Sequence, residues 1–164
     1  MTAEETLNEL LVGLFKDLTD IEARCLITDE FSDITINDMH IIEAIGVEEP
    51  KKSGTVARLM SITLGTLTKA IDGLTRKGYV NRIRSDEDKR VVKLSLTDKG
   101  KSAFYHHEQF HVHMIEHIKD GLDKTELNVL VGALAKLTDY FKVVYSDDEE
   151  NQYQNWDSIN EDNK

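Results

Sequence analysis

The chain has 164 residues, 40% of them hydrophobic and 31% charged, and a formal net charge of −11. That apolar share excludes wholesale disorder and fits one soluble domain or two small ones; no apolar run approaches the roughly 18 residues of a membrane span, so no membrane partner is expected. One cysteine and one proline exclude an internal disulfide and a Pro-rich architecture.

The opening segment MTAEETLNELL is acidic and lacks a charged-then-apolar leader, so a cytoplasmic location is expected. Residues 4–28 read as a long helix, because Leu7, Leu10, Leu11, Leu14, Phe15, Leu18, Ile21 and Cys25 recur at three- and four-residue steps. Residues 35–45 form the next, with Thr35 as N-cap, Met39, Ile42 and Ile45 inward, and Gly46 as the stop. Residues 47–52 are expected to be a loop around Pro50. Ser53 or Thr55 opens a short helix holding Val56, Leu59 and Met60. Thr63 caps another that closes at Gly78, with Leu67, Ile71 and Leu74 inward.

After Gly78 the period drops to two. Residues 79–84 alternate, as do residues 92–96, around the polar turn Ser85–Arg90, which is the pattern of a β-hairpin. Thr97 then caps a long helix through about Lys119, which Gly121 breaks. Asp123 or Thr125 opens a last helix with Leu127, Leu130, Val131, Leu134, Leu137 and Phe141 as its stripe. Residues 146–164 are polar, acidic and without period, and are expected to be disordered or loosely attached.

The expected fold is therefore mainly α with a β-hairpin wing, a winged helix-turn-helix on a helical dimerisation domain. Residues 1–33 and 98–145 would make the dimerisation domain, 34–97 the DNA-binding domain and 146–164 the acidic tail. The end helices are too long and apolar for so small a domain to bury, so a second copy is expected to cover them.

Charge distribution matters more than its total. Residues 51–101 hold 13 Lys and Arg against 5 Asp and Glu, while the rest of the chain is acidic. Phosphate docking depends on such a local field. In the helix after Thr63, the inward residues leave Gly65, Thr66, Thr68, Lys69, Asp72 and Arg76 outward. Gly65 permits close backbone approach, the Thr63, Thr66 and Thr68 hydroxyls can bond phosphates or base edges, and Lys69 and Arg76 supply charge. Arg82, Arg84, Lys89 and Arg90 stand on or beside the hairpin turn, where arginine can enter a minor groove. Asp86 and Asp88 would hold those arginines extended and shape the turn.

Arg84-Ser-Asp86-Glu-Asp88-Lys-Arg90, followed by Leu94-Ser-Leu96-Thr97-Asp-Lys-Gly100, resembles the wing signature of the MarR family of transcription regulators. Thr63-Leu-Gly-Thr-Leu-Thr-Lys, leading to Leu74-Thr-Arg-Lys-Gly-Tyr-Val, is similar to that family's recognition helix and its exit into the wing. The resemblance covers roughly residues 5–145. Asp38-Met39-His40, Asp88-Lys-Arg-Val-Val and Phe110-His111 point within it to the repressors of fatty-acid synthesis in Gram-positive cocci. It implies a homodimer on double-stranded DNA with a near-palindromic operator, and acylated acyl carrier protein as corepressor. The acyl chain would enter a cavity between the dimer helices and the DNA-binding module; Leu14, Phe15, Met39, Ile42, Phe104 and Phe110 are the candidates for its lining, though plain core is the simpler role for each.

Five of the six histidines fall between residues 106 and 117. His107 and His111 are four apart, as are His113 and His117, a spacing that places each pair on one helix face and can hold zinc. His40, Glu43 or Cys25 could complete the site, so a zinc-responsive repressor built on Cys25, His40, His107 and His111 stands as the alternative to a protein without a cofactor. No Gly-rich phosphate loop follows a strand and no nucleophile-elbow pattern occurs, so an enzyme is not expected.

Overall fold

The computed structural model describes residues 2–84 and 91–144. The chain forms two compact units, one up to Met114 and one from Ile115 on.

Helix α1 spans Ala3–Leu26 and begins at a reciprocal cap: the Glu5 amide donates to Thr2 Oγ1 at 3.2 Å and the Thr2 amide to Glu5 Oε2 at 2.7 Å. It ends two residues earlier than its apolar period predicts, because a single 3-10 turn at Asp29–Phe31 redirects the chain and buries Phe31. Helix α2, Ile36–Ile45, carries a second capping box, with Asp38 N to Thr35 Oγ1 at 3.1 Å and Thr35 N to Asp38 Oδ2 at 3.0 Å. It stops at Gly46, whose φ of 71° is the left-handed conformation that glycine reaches without penalty.

The predicted loop after Gly46 ends in a strand. Lys51–Lys52 form β1, which pairs antiparallel with the later strand over Val92–Leu96, in the register Lys51↔Leu94 and Lys52↔Lys93. Helices α3 (Ser53–Leu59) and α4 (Leu64–Arg76) follow, joined by a turn in which Ser61 has φ 52°. Strands β2 (Val80–Arg84) and β3 (Val92–Leu96) form the hairpin, with Arg82 opposite Leu94. The sheet is thus three antiparallel strands in the order β1-β3-β2, one more than the hairpin anticipated.

Helix α5 spans Asp98–Gly121, and its first turn is capped by Thr97, whose Oγ1 accepts from Gly100 N at 3.0 Å. Helix α6, Lys124–Val144, starts at a cap in which Asp123 Oδ1 accepts from Glu126 N at 2.9 Å. Among the described residues no helix is long and apolar enough to cross a membrane.

The core of the first unit is where α2, α3, α4 and the sheet meet. Met39, Ile41, Ile42, Leu67, Leu74 and Leu94 are all fully buried there. Fully burying each such side chain stabilises the fold by about 1.5–3 kcal/mol. The apolar stripe of α1 is different: Leu10 and Phe15 are 66% and 68% exposed. Val129 and Leu134 of α6 are likewise exposed.

Candidate nucleic-acid interface

Helix α4 is amphipathic. Leu67, Ile71 and Leu74 anchor it, and this anchoring turns Gly65, Thr66, Thr68, Lys69, Asp72 and Arg76 to solvent. Thr63 is the N-cap; its Oγ1 accepts from Thr66 N at 3.1 Å and lies 2.9 Å from Thr66 Oγ1. Thr68 Oγ1 donates to the Leu64 carbonyl at 2.8 Å. Thr63 thus caps the helix as its sequence position predicts, while the bonds of Thr66 and Thr68 within its first turns were not revealed by their outward spacing; all three keep acceptor lone pairs for an incoming group. A Cβ on Gly65 would meet only Thr63 Oγ1, at 3.8 Å, so this surface is open to close approach.

The wing strand contributes Arg82 and Arg84, both exposed. Arg82 points back at α4: its guanidinium lies 2.6 Å from Asp72 Oδ1 and donates to the Thr68 carbonyl at 3.2 Å. Asp72 also receives a neighbour through its carbonyl, which accepts from Arg76 Nε at 3.3 Å. Lys89, Arg90, Asp86 and Asp88 lie outside the described residues.

A cleft runs between α3, α4 and the wing. Leu67 and Ile71 form part of its floor, and Lys52, Arg58 and Arg82 line it as cations. Lys52 and Arg58 escaped the sequence reading as individuals, though both fall in the basic segment 51–101. Ser53 Oγ donates to the Val92 carbonyl at 3.1 Å and so ties the start of α3 to β3.

Behind this face, a polar clamp joins three parts of the chain. The Tyr79 hydroxyl donates to Asp33 Oδ1 at 2.6 Å, and Lys99 Nζ lies 3.1 Å from Asp33 Oδ2 and 4.0 Å from the centre of the Tyr79 ring. The hydrogen bond from Tyr79 holds the Asp33 carboxyl below its ordinary pKa of 3.8. Lys77 pairs with Asp38 at 3.6 Å, linking the end of α4 to the start of α2.

The six apolar lining candidates are distributed. Met39 and Ile42 are closed core, Leu14 and Phe15 are exposed on α1, and Phe104 and Phe110 are half-buried against the core. Phe104 lines a cleft with Glu43, Glu108, His111 and Val112.

The histidines meet a partner that sequence spacing did not single out. His40 Nε2 is 2.9 Å from Glu22 Oε1, His107 Nε2 is 3.3 Å from the same oxygen, and His111 Nε2 is 3.0 Å from His107 Nε2. Cys25, expected among these groups, is exposed, and Glu22 takes the place beside the imidazoles instead. One turn of helix separates the two residues, and the docking of α1 presents Glu22 to α2 and α5. Burial pushes the His107 imidazole below its ordinary pKa.

Residues 34–92 match the model of the MarR family. The solved structure of Streptococcus pneumoniae FabT in complex with DNA is similar to this chain at 36% identity and TM-score 0.82, covering 86% of this chain and 99% of that one. The HTH-type transcriptional regulator YpoP of Bacillus subtilis is 25% identical over 105 residues, 64% of this chain and 74% of that protein. SarZ of Staphylococcus saprophyticus, also an HTH-type transcriptional regulator, is 39% identical over 69 residues; the match spans 42% of this chain and 47% of SarZ.

Proposed function

The chain belongs to the MarR family, and from that premise we propose that it is a dimeric, DNA-binding transcriptional repressor of fatty-acid synthesis genes, acting in the cytoplasm with long-chain acylated acyl carrier protein as corepressor. The observation that carries the DNA reading is the solvent face of α4: Gly65, Thr66 and Lys69 are exposed on a helix whose opposite face is locked into the core. Arg58, Lys52 and Arg84 extend positive charge to either side of it.

In this reading residues 34–97 are the DNA-binding domain, residues 1–33 and 98–145 the dimerisation domain, and 146–164 an acidic extension. α4 lies in a major groove, with Thr63, Gly65, Thr66, Thr68, Lys69 and Arg76 toward the duplex. The hairpin brings Arg84, Lys89 and Arg90 to the backbone or the adjacent minor groove, while Asp86 and Asp88 shape its tip. A second copy covers the exposed apolar faces of α1 and α6 and sets the two modules about one helical turn of DNA apart. The likeness to FabT supports the fatty-acid assignment.

An acyl chain would act by favouring one of two dimer geometries. It needs a lining, for which Leu14, Phe15, Met39, Ile42, Phe104 and Phe110 are the candidates. The half-buried Phe104 beside the cleft with Val112 is the point from which such a cavity can open.

A gel shift tests the whole reading. Promoter DNA from fatty-acid synthesis genes is titrated with the protein, with and without acylated carrier protein. Tighter binding with the acylated form alone supports the proposal. Equal affinity for promoter and unrelated DNA of the same length sinks it.

A further inference from the structure

We propose that the chain's own acidic C-terminal extension, residues 145–164, docks into the cleft between α3, α4 and the wing and there competes with DNA. Trp156 rests on the apolar floor of the cleft, and Asp157, Glu161 and Asp162 face the cations around it. The extension lies outside the described residues. Its composition and the chemistry of the cleft carry the assignment.

The cleft is built for more than a phosphate backbone. Phosphates call for charge and hydrogen-bond donors, not for an apolar bed. Yet Leu64, 54% exposed, lines the cleft beside the buried Leu67 and Ile71. The volume is about 450 Å³, within the range of about 300–1,000 Å³ typical of ligand pockets. Lys52, Arg58 and Arg82 stand around that floor, and among the described residues no acidic side chain lines it. Asp72 holds Arg82 from outside the cleft. Among the described residues no carboxylate pairs with Lys52 or Arg58.

The extension has the complementary composition. From residue 147 to 164 every position is polar or charged except Tyr153, Trp156 and Ile159. Trp156 is the only tryptophan of the chain, and carboxylates follow it at Asp157, Glu161 and Asp162. Solubility alone asks for the charges but not for an indole. An indole buries about 150–250 Å² when it meets an apolar surface, and its face attracts a guanidinium such as that of Arg58. Twelve residues lead from Val144, the end of α6, to Trp156, up to about 40 Å of extended chain.

A segment seated in this cleft brings negative charge to Thr68 on the solvent face of α4 and occupies Lys52 and Arg58. Duplex and extension then exclude one another. That competition rests on the repressor reading above; the docking does not.

The single tryptophan makes the full chain its own reporter. In the free protein, Trp156 emission should be blue-shifted from that of the urea-unfolded chain and protected from acrylamide quenching. Lys52→Glu combined with Arg58→Glu changes two exposed side chains and should return the emission to the unfolded position, with circular dichroism showing the variant folded. Asp157→Asn, Glu161→Gln and Asp162→Asn together should release the indole from the other side, while Lys136→Glu, outside the cleft, should not. Docking is overturned if the native emission already matches the unfolded chain, or if it stays shifted in both the Lys52/Arg58 and the carboxylate variants. In a second arm, duplex DNA added to the native chain should red-shift Trp156. Trp156→Ala should bind duplex about five-fold tighter, the gain expected if the extension is docked about 80% of the time. A docked indole that DNA does not displace, with unchanged affinity in Trp156→Ala, overturns the competition. Absence of DNA binding by both proteins refutes the repressor reading, while the emission of the free chain still decides the docking.

Discussion

Arg82 and Asp72 meet at 2.6 Å, so the first strand of the wing is pinned to the outer surface of α4. The same guanidinium reaches the Thr68 carbonyl, which makes it a brace with two attachments. A brace and a DNA contact predict opposite responses. As a brace, Arg82 depends on Asp72, and Asp72→Ala should weaken operator binding. As a contact restrained by Asp72, it should bind better once freed. An exposed ion pair is worth about 0.2–1 kcal/mol, so the expected loss is up to about five-fold. Fluorescence anisotropy with labelled operator reads it; tighter binding would make Arg82 a direct DNA contact.

Gly100 lies in the first turn of α5, where a Cβ would collide with the backbone carbonyl of Tyr79 and crowd Leu96 Cβ. Neither neighbour is the free end of a flexible chain. Gly100→Ala should therefore destabilise the protein by about 1–3 kcal/mol, the usual cost of overpacking. Urea denaturation measures it, and an unchanged midpoint would show that this junction yields.

The clamp on Asp33 makes part of the stability pH-dependent. Tyr79 lowers the Asp33 pKa from 3.8, so the folded state binds this proton less readily than the unfolded chain. Its contribution is present above pH 3.8 and is lost as pH falls through the lower folded value. Tyr79→Phe removes the hydrogen bond. The stability difference between native and variant should be largest near neutrality and shrink below about pH 4. Thermal melts across that range check the sign; a difference that grows on acidification would contradict it.

Arg90 lies outside the described residues, and the sequence places it at the hairpin tip. Arg90→Ala should abolish operator binding and leave the dimer intact by light scattering. For the native protein, log K should fall linearly with log salt, by about 0.9 for each phosphate neutralised. A flat salt response would remove phosphate docking from the mechanism, and unchanged affinity in the variant would remove the wing tip.

Much of the fold follows from short-range rules. The Thr35–Asp38 cap, the Thr63 cap and the stop at Gly46 each involve residues within four positions of one another, and all are visible along the chain. The solvent face of α4 follows as well: once Leu67, Ile71 and Leu74 are assigned inward, a period of 3.6 sends Gly65, Thr66 and Lys69 out. Tertiary structure decided the rest. Lys51 becomes a strand residue only because Leu94 arrives beside it, and no local preference announces a two-residue strand. Glu22 and Cys25 are three residues apart, nearly on one helix face, so periodicity could not choose between them as neighbour to the histidines. Arg82 is placed by the sequence among the wing arginines, with Asp86 and Asp88 as their partners, and only the packing of α4 beside the wing supplies Asp72. Caps and periods act within a helical turn and can be read from order alone, whereas ion pairs and strand partners join residues far apart in sequence, and their spacing exists only after the core has packed.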